Sequence, residues 1–364
     1  MMQRWASYGT VAAVAAAVAI SSTSVAGQQA DKAPAGKKYV APRTADGHPD
    51  LSGVWANNDA TPLQRPEAFK GRALLTDGEV QSLKSKAAEL FNGETDAAFG
   101  DSVYLAVIRE GKDFKSTDTT GNYNHFWIVD REFDNRTSVI SSPEDGRLPA
   151  MTEQAKNWRA KDNEHRENHP ADGPEDLPLS HRCVTFGVPR IGAGYNSYFQ
   201  IFQAKDSVAI GQEMIHDVRL IPTDGRPKVP SVVRQLHGIS RGRWEGDTLV
   251  VETSNFNDTA RFQGFPAKDM TFVERFTRIG PKTLQWDVTV NAPTIWEKPW
   301  TATVMLRHSP DPIFEMACHE GNEGMFGALS GHRAHERMGI KPVPASAAAP
   351  ARAASRSGRL TAPG

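Results

Sequence analysis

The sequence predicts a mainly β protein: an antiparallel meander that closes as a barrel or sandwich, with a few peripheral helices and long loops. Three observations carry that expectation. In the stretch from Tyr198 to Ile221, the even positions Val208, Ile210, Met214, Val218 and Leu220 share one strand face, interrupted only by Gln212 and His216. Glu213, Asp217 and Arg219 fall on the other face. Gly238 to Trp244 and Thr248 to Thr253 flank the tight turn Glu245-Gly246-Asp247, and Thr271 to Arg278 and Thr283 to Val290 flank Ile279-Gly280-Pro281-Lys282, which makes two hairpins. Leu284, Trp286, Val288 and Val290 then alternate with polar residues, as do Ala302, Val304 and Leu306.

The chain opens on an address label. Arg4 precedes the apolar run Val11 to Ile20, and Ser24-Val25-Ala26 offers a small-x-small cleavage pattern. Residues 1–26 read as a secretory signal peptide, too short and Ala-rich for a membrane span, so no integral membrane segment is expected after cleavage. Residues 27–38 read as a flexible leader, 39–340 as one β-rich domain, and 341–364 as a disordered Ala-, Pro- and Ser-rich tail. The expected location is the periplasm or beyond. A net formal charge of -1, made one unit more negative by loss of Arg4, argues against nucleic acid or an anionic membrane as the main partner. In an exported chain the two cysteines, Cys183 and Cys318, are most simply a disulfide; two buried thiols or a metal site are the alternatives.

Gly53-Val54-Trp55 opens the first strand. Thr76 and Glu79 form a capping box for a helix over Leu75 to Asn92. Val103 to Ile108, His125 to Val129, Thr137 to Ile140 and Ile313 to Cys318 are short strand candidates. Thr152 to Asn168 is a polar helix, and Asn322 caps a last helix over Glu323 to Met338.

The segments PRTADGHPDLSGVW, EMIHDVRLIPTDGRP, SRGRWEGDTLVVET and ACHEGNEGM together resemble a family of secreted bacterial proteins whose activity is not established. The resemblance runs from Pro42 to about Ala334 and implies export; it carries no site residue with it. Gly53-Val54-Trp55 is also similar to the Gly-x-Trp of lipocalins, which implies a lipocalin-like closure of the sheet.

Candidate chemistry centres on His216, an imidazole expected on the inward strand face, where it can act as acid, base or ligand donor. The alternative is a core histidine bonded to Gln212. Glu274 is expected among Phe272 and Phe276, where desolvation suits a carboxyl to acid–base work; an arginine-paired edge carboxylate is the alternative. Gln212, Tyr198, His319, Glu320 and Asn322 are read as substrate-binding, the last three because backbone donors at a helix start can hold an anion. His165 with His169 and His332 with His335 have helical spacing, but both helices are polar, so solvated side chains are expected and no metal is assigned. There is no Gly-x-Ser-x-Gly elbow, phosphate loop or dinucleotide fingerprint. The expectation is a cofactor-independent lyase, isomerase or hydrolase acting on a small apolar or aromatic molecule. A binding or carrier protein with the same pocket is the alternative, and a structural role with a filled interior is a third.

Overall fold

A computed structural model describes residues 39–90, 104, 107–108, 131–193 and 195–340. The proposed signal peptide, leader and C-terminal tail lie outside these residues, as does the strand expected over His125 to Val129.

Ten strands form one antiparallel sheet. The five-strand run is Ile239–Glu245 (β6), Thr248–Ser254 (β7), Thr271–Gly280 (β10), Thr283–Asn291 (β11) and Trp300–Ser309 (β12). Each pairs with its neighbour as the hairpin reading requires, with Trp244 opposite Leu249 and Phe276 opposite Trp286. Between β7 and β10 the chain forms a separate two-stranded ladder, Arg261–Phe262 (β8) with Phe265–Pro266 (β9). The sheet then departs from a meander. The first strand, Gly53–Ala56 (β1), lies between β12 and Tyr198–Ala204 (β3), so the N-terminal segment joins the two halves of the sheet. Ser207–Gln212 (β4) and Val218–Pro222 (β5) complete the other edge, and Ile140–Ser142 (β2) pairs with β12.

Period-two alternation is met along the long strands. Phe272, Glu274 and Phe276 of β10, Leu284, Trp286, Val288 and Val290 of β11, and Trp300, Ala302, Val304 and Leu306 of β12 are buried. Phe199 of β3 meets Trp286 edge-on at 5.6 Å between ring centroids, although two strands separate them in the sheet. The sheet therefore curls around a filled core. Its two edges approach one another: a Cβ added to Gly242 of β6 would lie 2.9 Å from a methyl carbon of Ile221 on β5 and of Thr223 just beyond it, so the close approach requires glycine there.

Helix Asp77–Leu90 (α1) carries the expected capping box, with the Glu79 carboxylate accepting from the Thr76 amide and hydroxyl and the Thr76 hydroxyl accepting from the Glu79 amide. The bond from the Thr76 amide first, then those from the Arg72 guanidinium and the Thr76 hydroxyl, pull the Glu79 carboxyl down to about 2. Val80, Leu83 and Ala87 of α1 pack with Leu75, Tyr104, Val107 and Phe133 in a second, smaller core. Tyr104, Val107 and Ile108 are helical, which corrects the strand expected over Val103 to Ile108 at its described positions; Tyr104 and Val107, three residues apart, are buried as on one helix face. Ile313 to Cys318 is likewise not a strand; the segment crosses the surface without ladder partners. Helix Glu153–Asn168 (α2) starts at Thr152, whose hydroxyl accepts from the Ala155 amide, and helix Glu323–Arg337 (α3) starts at Asn322. Cys183 and Cys318 form a disulfide, with Cα atoms 5.6 Å apart. No described helix is long and apolar enough to cross a membrane.

Candidate functional site

The long strand expected through His216 is two strands and a turn. β4 ends at Gln212, a single 3-10 turn spans Met214–His216, and β5 begins at Val218 and folds back so that Val208 faces Ile221 and Ile210 faces Arg219. Ile215 and His216 take left-handed φ values of 57° and 44°. No glycine or asparagine announces the turn. Contacts remote in sequence hold it instead, with the Ile215 amide donating to Met316 Sδ and the Glu213 amide to the Tyr198 carbonyl.

The turn shifts the inward set by one residue. Val218 and Leu220 point to solvent at 64% and 65% exposure, while Glu213, Asp217 and Arg219 are buried. His216 is exposed, which corrects the inward orientation expected of it. Glu274 is on the inner face as expected and fully buried. Its two oxygens accept from the Arg219 guanidinium, at 2.5 Å to Oε2 and 2.9 Å to Oε1, and Oε1 also accepts from Trp286 Nε1 at 3.1 Å. With His216 exposed and Glu274 fully buried, none of the described clefts is lined by either of them. Gln212 is buried and Tyr198 half-buried; His319 and Glu320 are exposed. Asn322 caps α3 by accepting from the Met325 amide, and its own amide group donates to the His181 carbonyl at 2.9 Å.

A different constellation forms where β5, the segment after the disulfide cysteine and the start of β6 meet. Asp217, just before β5, accepts from the Thr185 hydroxyl at 2.7 Å and the Phe186 amide at 3.3 Å through Oδ2, and its Oδ1 lies 3.2 Å from His237 Nε2. His237 Nε2 is also 3.0 Å from Thr185 Oγ1, which accepts from the Gly187 amide at 2.9 Å. Thr185 spends its one proton on Asp217, so the hydrogen between Thr185 and His237 comes from the imidazole. This assigns the proton to Nε2 and leaves Nδ1 as the basic nitrogen of the neutral ring.

Thr185 is also part of the wall of a cleft of about 250 Å³. Leu179, Val188, Leu236 and Phe256 supply apolar walls, and Arg166 and Arg261 supply positive charge. Partial burial pulls the Arg261 guanidinium below its ordinary range, opposed by Asp162 and, more weakly, Asp258, and aided by Arg166, which itself pairs with Asp162 at 2.7 Å. A larger depression, about 810 Å³, lies elsewhere and is lined by Arg65, Lys70, Arg136 and Arg147 together with Glu67, Glu144 and Asp145. It is a basin of both charge signs, in which Lys70 and Glu67 already pair at 3.0 Å. The smaller cleft has the mixture of apolar wall and converging polar groups that small-molecule sites use.

No family model matches the chain, and neither a curated protein nor a solved structure matches it.

Sequence reading missed His237, Asp217 and Thr185 for two reasons. Asp217 was assigned to the solvent face by the same parity that turned His216 inward, and no local spacing links residues 185, 217 and 237. Glu213 changes sides with Asp217. Burial raises its carboxyl above the ordinary range, opposed by hydrogen bonds from the Phe314 and Tyr198 segments. A folded-state carboxyl with a raised pKa holds its proton more tightly than the unfolded chain does, so stability falls as pH rises from the ordinary glutamate range through the raised value. Glu213→Gln is therefore expected to raise the denaturation midpoint at pH 7 relative to wild type, with the difference closing below about pH 4.5. Urea melts at the two pH values read it; equal differences at both would contradict the assignment.

Proposed function

We propose that the protein is an exported binding protein for a small, largely apolar molecule bearing a carboxylate, received in the cleft walled by Leu179, Val188, Leu236 and Phe256. The observation that supports this reading is the convergence, on one cleft, of apolar walls, two guanidinium groups and the Asp217-anchored Thr185. At about 250 Å³ the space lies just below the roughly 300–1,000 Å³ of drug-sized sites, which suits a single-ring ligand. The disulfide and the signal-like start support export, and the approach of β5 to β6 supports a lipocalin-like closure with its interior filled rather than open. Of the three roles expected from sequence, the filled core speaks for the structural one inside the sheet, the cleft beside Thr185 speaks for binding, and binding takes precedence over catalysis because none of the described clefts is lined by His216 or Glu274.

Catalysis is the second reading, and one observation favours it. Asp217 orients His237 by its Nε2 proton, the arrangement by which a carboxylate prepares an imidazole as general base. The acid–base role expected of His216 passes to His237 in that case.

A thermal-shift panel of single-ring carboxylates and their uncharged amides tests the proposal. Carboxylates are expected to raise Tm and the amides to leave it unchanged, with Arg261→Gln weakening the carboxylate at least tenfold. Equal responses to acids and amides, or an unaffected Arg261→Gln, would contradict it. For a ligand that is turned over, His237→Gln is expected to abolish turnover while binding persists.

A further inference from the structure

Helix α3 buries none of its residues fully, yet it is anchored along its length. Near its start stand the disulfide and the Asn322 bond to His181. Two turns later, His332 and Glu336 share one face at i,i+4 spacing and meet Asp172, from the loop that follows α2. Their ligand atoms all lie within 4.8 Å of one another.

We infer that Asp172, His332 and Glu336 form a divalent-metal site, best matched to zinc, that clips α3 onto the loop after α2. Zinc bonds to nitrogen and oxygen of about 2.0–2.2 Å set ligand atoms roughly 3.4 Å apart in a tetrahedron. His332 Nε2 and Glu336 Oε1 stand 3.6 Å apart, close to that edge. His332 Nε2 and Asp172 Oδ1 stand 2.9 Å apart, so Asp172 must withdraw by about half an ångström to complete the set. The fourth position is left to water.

The surrounding side chains orient these ligands as an outer layer does in metal sites. His169 Nδ1 lies 2.7 Å from Asp172 Oδ2, and Arg333 donates to Glu336 Oε2 at 2.8 Å. Each carboxylate thus keeps its other oxygen for the site. The imidazole ligand favours zinc or another transition ion over calcium and magnesium, which select all-oxygen sites. Two carboxylates and one neutral imidazole sum to the charge that a dication cancels. The clip joins segments far apart in the chain.

This inference uses none of the cleft residues and stands apart from the binding reading. Chelator-treated full-length protein titrated with zinc chloride tests it, with cobalt chloride as a spectroscopic substitute. The expected result is one saturable ion per chain, a rise in Tm on loading, and a visible cobalt band. Asp172→Asn and His332→Gln should each weaken zinc at least tenfold, while His335→Gln, an exposed histidine of the same helix, should leave it unchanged. Should the part-buried His332→Gln fail to fold, Glu336→Gln, at an exposed position, carries the same expectation. Absence of saturable uptake, uptake that Asp172→Asn and Glu336→Gln leave intact, or equal loss in His335→Gln would overturn the assignment.

Discussion

Arg219→Met, with Glu274 retained, is expected to destabilise the protein by about 3–5 kcal/mol, because it leaves a carboxylate without its partner in the core. Glu274 is 0% and Arg219 6% exposed, and the pair spans the interior from an edge strand, β5, to β10. Glu274→Met should cost a similar amount, leaving the guanidinium unpaired. The double variant Arg219→Met/Glu274→Met should recover most of the loss, since apolar groups of similar volume often replace a buried pair at little cost. The unrecovered part, about 1 kcal/mol, is the Trp286 N–H, which loses its acceptor. Chemical denaturation of the four proteins completes the cycle. Additive single losses would show that the two side chains do not interact in solution, and with that the curled sheet would lose its central tie.

The second large effect belongs to the disulfide. Cys183→Ala/Cys318→Ala opens a loop whose ends are 135 residues apart. The chain-entropy model gives about 5 kcal/mol for such a loop, within a measured range of roughly 2–5 kcal/mol for native disulfides. For a chain of this size the expected fall in Tm is on the order of 5–10 °C. The same bond holds the segment that supplies Thr185, Val188 and one wall of the cleft, so ligand affinity should fall along with stability. A cysteine-free variant that melts with wild type would contradict the account, as would one that loses stability but binds ligand equally well.

The parts of the fold governed by local rules were legible in the sequence. β10, β11 and β12 repeat every second residue for seven or more positions, and each buries the predicted face, Glu274 included. Thr76 with Glu79, and Asn322, mark helix starts through short-range hydrogen bonds that spacing alone encodes. The place of β1 between β12 and β3 was not legible, because strand order is set by contacts more than a hundred residues apart. The turn at Met214 to His216 was hidden for a related reason. Its left-handed residues are non-glycine and are held by the Met316 and Tyr198 segments, and Val218 and Leu220 are apolar but face solvent. An uninterrupted alternation therefore looked better than the true, broken one. That single shift in parity exchanged His216 for Asp217 and moved the candidate site from the sheet interior to the cleft beside it.

The location of the ligand tests this account most directly. A single-ring carboxylate from the thermal-shift panel, added to methyl-labelled protein, should give intermolecular nuclear Overhauser contacts to Leu179, Val188 and Leu236. The methyls of Ile210, Val288 and Leu306, which lie in the core, should show none. Contacts to that second set, with the cleft methyls silent, would place the site inside the sheet and contradict the account.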